Sequence, residues 1–396
     1  MFRVSLAWSD MSGRTTGRYF PHNGKLVALR EAGYQQLRRL VEKVGRAKPF
    51  NTGLSESFLE VEIFKWWRAS LRQETSDPLS EYLLTASEAA IKRHVVMVPL
   101  ANLEIERPFI FGAALVTPID SRLFDEFGAE AMLKQPEHAQ IVRQQARKLR
   151  EELGHLTAVQ IEIVGEQLFA EQRALSVAFD MADFFRFMSP VATSWNVTFA
   201  CFPHGCEHEP LTTLIEVSDG KLSSLSKRMR NPSSFRWKLS FEELDGHMRD
   251  GFRNCSVFFA PGKLTGFQKR VKTAIAAYSQ GIGTADIRNR LIYAMSAAEH
   301  LLLRDENEPL QSSVGERMAF LIAKTPDDRR AVVSNFKKAY GLRSRQIHHL
   351  ATIDDEEVLS TFFINMFLML TSAMDNIPRY IEHTDFLDAI DRIKFS

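Results

Sequence analysis

Near the end of the chain, Arg343-Ser344-Arg345-Gln346-Ile347-His348-His349 brings together the two side-chain types that metal-free RNA cleavage uses. A neutral imidazole can take the proton of a 2′-hydroxyl near pH 7, and an imidazolium can give one to the leaving 5′-oxygen. A guanidinium can hold the phosphate and stabilise charge on its oxygens. Arg343 and His348 are five apart, about 140° around a continuous helix. Arg345 and His349, four apart, share a face. Gly341 is placed to break the helix before Arg343. Spacing alone carries little weight, because Arg150 and His155 repeat it. There Glu151 and Glu152 would repel phosphate, so that copy reads as a helix end.

Two other chemistries were weighed. Residues 201–208, CFPHGCEH, hold Cys201, His204, Cys206 and His208, and thiolate and imidazole suit zinc. Four ligands this close strain a tetrahedral shell, and Pro203 and Gly205 read as a turn. The expectation is therefore no metal. A phosphate loop is absent, and Gly281-Ile282-Gly283 follows no strand, so it reads as a helix break.

From Lys221 to Lys272 twelve Lys and Arg face four acids. The chain as a whole is nearly neutral, with 50 basic and 49 acidic residues, so neutrality hides a basic stretch between two mildly acidic regions. Its centre, KRMRNPSSFRWK, names Lys227, Arg228, Arg230, Arg236, Trp237 and Lys238 as RNA contacts. Cations near a polyanion release its counterions, and exposed aromatics stack on unpaired bases. The same stretch could dock on acidic neighbours within the chain.

These residues need elements to position them. The composition, 45% apolar and 25% charged, is that of an ordinary globular protein of about two domains. Three Cys fit a reducing compartment. The N-terminus lacks the apolar core of a signal peptide, and Thr361 to Met374 is short for a membrane span, so no membrane and a cytoplasmic location are expected. The fold class is α+β. A mixed domain over 1–220 has helices at Gly33–Val44, Glu56–Leu71, Glu137–Leu153 and Glu166–Phe187. Strands are expected within Val95–Ile119, at Ala158–Val164, Asn196–Phe202 and Leu211–Val217. A basic connector covers 221–264. A helical bundle covers 265–396, with one helix N-capped by Thr284 and an apolar helix at Val358–Met374.

Three runs of the last region, AMSAAEHLLL, VGERMAFLIA and NFKKAYGLRSRQIHHL, resemble the HEPN superfamily, specifically its Apea-like group. The resemblance covers about 265–396. It implies an all-α bundle that forms a homodimer, with a composite RNase site across the dimer and no cofactor. The Arg-x4-6-His motif of the family falls on Arg343 and His348, and its polar position on Ser344. Gly is common after the His in this group; here His349 stands there, so which imidazole faces the site stays open. Arg345, His349 and Tyr340 are supporting residues, Tyr340 being first a packing ring. Glu299 and Glu316 read as solvated or structural acids. The function implied is a metal-independent endoribonuclease of prokaryotic stress or antiphage defence (an abortive-infection toxin), with residues 1–220 answering a phage or regulatory trigger. The alternative is a non-catalytic RNA-binding or dimerisation adaptor.

Overall fold

A computed structural model describes residues 7–9, 15–134, 136–206, 212–218, 221–228, 235–305, 307–349 and 355–395, with backbone alone at 7–9, 15–16, 212–215, 218, 221–223, 225–228, 346–349 and 395. Contacts divide the chain into two compact units, Met1–Val96 with Ile161–Leu175, and Met97–Gln160 with Ser176–Ser396.

In the first unit β1 (Ala7–Ser9), β2 (Thr15–His22) and β3 (Lys25–Arg30) form an antiparallel sheet. The β2–β3 hairpin turns on Asn23 and Gly24, whose φ values of 48° and 73° have the sign a two-residue hairpin turn requires. Three helices follow, α1 (Glu31–Arg46), α2 (Glu56–Leu71) and α3 (Leu79–Ala90). Ser55 caps α2 by accepting from the Phe58 amide at 3.1 Å. Phe20 from the sheet packs with Tyr34, Leu37 and Val41 of α1, Leu59, Ile63 and Phe64 of α2, and Leu83 of α3. Arg18 reaches Glu60 at 2.6 Å in this unit, and the Tyr34 hydroxyl donates to the same carboxylate.

In chain order there follow β4 (Lys92–Leu100), β5 (Leu103–Ile105), β6 (Phe109–Phe111), β7 (Ala114–Pro118), α4 (Arg122–Lys134), α5 (Ala139–Leu153), β8 (Thr157–Gly165) and α6 (Gln167–Met188). The residues of β4, β8 and α6 are divided between the two units. A four-stranded sheet has the order β4-β8-β7-β6. Beyond α6 come the hairpin of β9 (Thr212–Ser218) and β10 (Lys221–Arg228), then β11 (Trp237–Leu239), which runs parallel to β5. The helices α7 (Phe241–Arg249), α8 (Gly266–Ile282), α9 (Ile287–Leu302), α10 (Leu310–Ile322), α11 (Pro326–His349), α12 (Glu356–Asp375) and α13 (His383–Phe395) complete the second unit, with a 3-10 segment at Phe252–Phe259.

The blocks 1–220, 221–264 and 265–396 do not coincide with these units. The reason is an aromatic core that draws on all three. Phe111 stacks on Phe184 at 4.6 Å and lies 5.4 Å from Phe259, while Phe187 meets Phe252 at 5.5 Å and Phe367 at 5.4 Å. Gly112, at φ 64°, marks how closely these pieces meet: a Cβ there would lie 2.6 Å from that of Phe259. The stretch 221–264 is therefore largely built into the unit, through β11, α7 and the 3-10 segment.

Asn196–Phe202, expected as a strand, forms none; Leu100 and Pro203 make an isolated bridge. Its carbonyls are satisfied from distant parts of the chain instead. The fully buried Arg290 of α9 donates to Val197 O at 2.6 Å and to Val191 O at 3.4 Å. Arg186 of α6, also fully buried, donates to Cys201 O, to Ser279 O at 3.0 Å and to Asp183, and lies 4.2 Å over the Phe202 ring. Asn102 donates to Ala200 O at 2.8 Å. A second correction concerns α9, whose N-cap is Asp286 rather than Thr284.

α12 is the one described helix long and apolar enough to cross a membrane by length and composition, and 56% of that window is buried inside the protein. Its Asn365 donates to Asn335 of α11 at 3.1 Å, and Asn335 donates to Val358 O at 3.0 Å, which fixes the register of the two helices.

Candidate functional site

The Arg343–His349 run forms the last turns of α11. This helix starts at Thr325, whose hydroxyl accepts from the Asp328 amide at 3.2 Å, with Asp327 and Asp328 at the positive end of its dipole. Val332, Asn335, Phe336, Ala339 and Leu342 recur every three or four residues and are buried, so one stripe faces the bundle. A Cβ at Gly315 of α10 would come within 3.2 Å of the Phe336 ring, so the glycine lets α10 and α11 approach closely. The expected break at Gly341 does not occur; α11 continues through it to His349. Interior glycine costs a helix only about 1 kcal/mol, and the buried stripe that runs to Leu342 outweighs that.

Continuity separates the two arginines. Arg343 is half-buried. Its guanidinium lies 5.7 Å from the centre of the Tyr340 ring, and its Nε is buried without a hydrogen-bond partner. Glu299 of α9 is within electrostatic range: burial raises its carboxyl above the ordinary value while the Arg343 charge pulls it down, and its Oε1 is likewise buried and unpartnered. Ser344 and the exposed Arg345 line an open cavity of about 550 Å³ with Lys338, Tyr340, Gln311 of α10 and Asp355. The Asp355 carboxylate caps α12, accepting from the Val358 amide at 3.1 Å. A second cavity of about 660 Å³ lies between α10 and α11, lined by Phe320, Arg329, Arg330, Lys337, Lys338 and Glu316 among others. Lys338 borders both.

For His348 and His349 only the helical backbone is described; their side chains lie outside the described residues. On this continuous helix positions 343 and 348 are about 140° apart, so they do not share a face.

The basic stretch is a different surface from the one expected. Trp237 is 3% exposed, with its ring edge-on to Phe199 and His247, so it offers no face for stacking. The alternation of β11 explains this: Trp237 and Leu239 point inward and Lys238 outward. Arg236 and Lys238 are exposed. The side chains of Lys227 and Arg228, and all of Arg230, lie outside the described residues. Lys272 is paired with Asp180 at 2.6 Å and Arg249 with Asp245 at 3.3 Å, so part of the positive charge is used within the unit.

At 201–208, Cys201 is fully buried and burial pushes its thiol up to about 12, whereas Cys206 is partly exposed. His204 faces Glu152 at 3.9 Å, and His208 lies outside the described residues. Among the described residues no three His, Cys, Asp or Glu side chains group as metal ligands. The second Arg-x4-His copy sits at the end of α5, with Arg150 paired to Asp125 at 3.0 Å.

The groove cations Arg330, Lys337 and Lys338 form no sequence motif, yet with Arg345 they fall within about a third of a turn once α11 is taken as unbroken. Comparisons with protein-family models, with curated proteins and with solved structures return no match.

Proposed function

We propose that the chain is a metal-independent endoribonuclease of HEPN type, acting in stress or antiphage defence, with its site at the C-terminal end of α11. One observation carries most of the reading: Tyr340, Gly341, Leu342, Ser344 and Arg345, the chain neighbours of Arg343, border an open cavity that also holds Lys338 at that helix end. In the proposed reaction an imidazole at His348 removes the 2′-hydroxyl proton. The 2′-oxygen attacks phosphorus, the resulting imidazolium returns its proton to the leaving 5′-oxygen, and a guanidinium stabilises the five-coordinate phosphate. The products are a 2′,3′-cyclic phosphate and a 5′-hydroxyl end. Pairing with a second copy would supply Arg343 and His348 from different subunits, which the 140° separation on one helix favours.

The test is cleavage of single-stranded RNA in EDTA by the wild type, Arg343→Ala and His348→Ala, with the product ends identified. Cleavage lost in both variants and cyclic phosphate ends are expected. Activity that survives His348→Ala removes the assigned site, and no cleavage by the wild type removes the enzyme.

The half-buried position of Arg343, beside Glu299 and against Tyr340, favours a second reading: Arg343 is structural and the bundle binds RNA or dimerises without cutting. That reading expects RNA binding with no cleavage.

A further inference from the structure

We propose that the groove between α10 and α11 is a docking track for single-stranded RNA, leading several nucleotides of the strand to the end of α11. The inference rests on the nuclease reading and adds which substrate that site would take: an unpaired strand of several nucleotides.

Charge is the first support. Lys337, Lys338 and Arg345 are exposed, and none has an ion-pair partner among the described residues. The carboxylates beside them are engaged elsewhere. Glu316 is paired with Lys394 and Asp355 caps α12, while Asp327 holds Arg330 of the groove itself. An uncompensated row of cations on one helix face is a site where phosphates displace bound counterions.

Spacing is the second. The groove lining runs from Arg330, itself paired with Asp327, to Arg345, over which the helix rises about 22 Å at 1.5 Å per residue. A stacked strand rises about 3.4 Å along its axis per nucleotide, so that length matches about seven nucleotides, or fewer in an extended strand. Lys338 borders both cavities and makes the path continuous.

The third is the flat surfaces. The Arg329 guanidinium lies 4.2 Å from the centre of the Phe320 ring in one cavity, and Arg343 pairs with Tyr340, which lines the other. Aromatic rings and guanidinium planes stack on bases that are not paired. A duplex keeps its bases stacked inside and makes no use of these surfaces.

The experiment measures binding directly, by fluorescence anisotropy of labelled RNA on the full-length His348→Ala protein. A 12-nucleotide strand should bind at least tenfold more tightly than a trinucleotide and than a duplex of equal length. Lys337→Gln/Lys338→Gln in that background should erase the length advantage and lower the slope of log Kd against log salt by about 1.4, at about 0.7 per lost phosphate contact. An unchanged thermal midpoint shows the double variant to be folded. Unchanged affinity in the double variant overturns the track, as does preference for duplex. So does competition by poly-glutamate as effective as that by RNA, which identifies an acidic protein as the occupant. Because cleavage is not read, binding that behaves as expected in a protein whose wild type never cuts RNA refutes the nuclease and leaves the track standing.

Discussion

Arg343 and Arg345 are two residues apart on one helix and serve different surroundings: Arg343 lies against Tyr340 near Glu299, and Arg345 lines the open cavity with Ser344 and Lys338. A continuous helix turns about 200° over two residues, so separate environments follow from α11 not breaking at Gly341. Arg345→Ala is expected to weaken single-strand RNA binding at least fivefold while moving stability by less than about 0.5 kcal/mol. Arg343→Ala should destabilise by about 1–2 kcal/mol, because it leaves the half-buried Glu299 without its compensating charge. Urea unfolding and anisotropy measured on both variants check the contrast, and equal effects on binding and stability would contradict it.

Arg317 of α10 is buried too, held by Glu308 at 2.7 Å, by Asp391 at 3.0 Å and by Leu302 O at 2.7 Å. It is 7% exposed and joins α9, α10 and α13. Arg317→Lys is expected to cost about 2–4 kcal/mol, since one ammonium cannot reproduce two forked contacts and a carbonyl. A urea midpoint within error of the wild type would show the network to be dispensable.

Three histidines of the second unit, His247, His300 and His383, have pKa values lowered first by burial; at His300 and His383 nearby arginines add to it. The unfolded chain binds protons near 6.5 that the folded one refuses. Their contribution to stability is therefore full above that pH and is lost as pH falls below it toward the lower folded values. The melting temperature should drop between pH 7 and 5. His383 Nε2 donates to Leu301 O at 2.7 Å, a bond a glutamine amide can also make. His383→Gln should flatten the pH dependence, and a profile identical to the wild type would assign it elsewhere.

Gly112→Ala tests the aromatic core shared by β6 and the 3-10 segment. The new methyl would meet Phe259 and also sit at positive φ. A loss of more than about 2 kcal/mol is expected, the sum of strain and overpacking. A loss below about 0.5 kcal/mol would mean the segment moves aside freely.

Much of the helical frame was legible. α2 runs over the span its periodicity gave, and Ser55 caps it. α12 is longer by two residues at its start and one at its end than its apolar run, because the acidic turn at Glu356 and Glu357 suits a helix start. The β2–β3 hairpin was missed although Asn23-Gly24 is a strong turn signal. Asn196–Phe202 looked like a strand because its residues are apolar, yet its partners are arginines near the chain's middle and end, which no local pattern reveals. The charged neighbours of Trp237 suggest an exposed ring, and three residues of strand are too few to betray which face is inward. At the candidate site, residue types were visible from the start. Which arginine reached the cavity depended on whether Gly341 broke the helix, and tertiary packing decided that.

The buried guanidinia of Arg186 and Arg290 bear on where this protein can be divided. Each ties an irregular segment before residue 204 to α8 or α9, and the Arg290 cation also lies 5.2 Å over the Phe363 ring of α12. A fragment starting near residue 265 would keep the helices but lose the carbonyls that accept from Arg290 and the Phe187 ring that packs on Tyr278 and Phe367. The second unit should therefore unfold in a single cooperative transition, and the helical third, excised, should be insoluble or molten. Proteolysis near residue 265 is therefore expected to unfold the bundle rather than to release a stable helical domain.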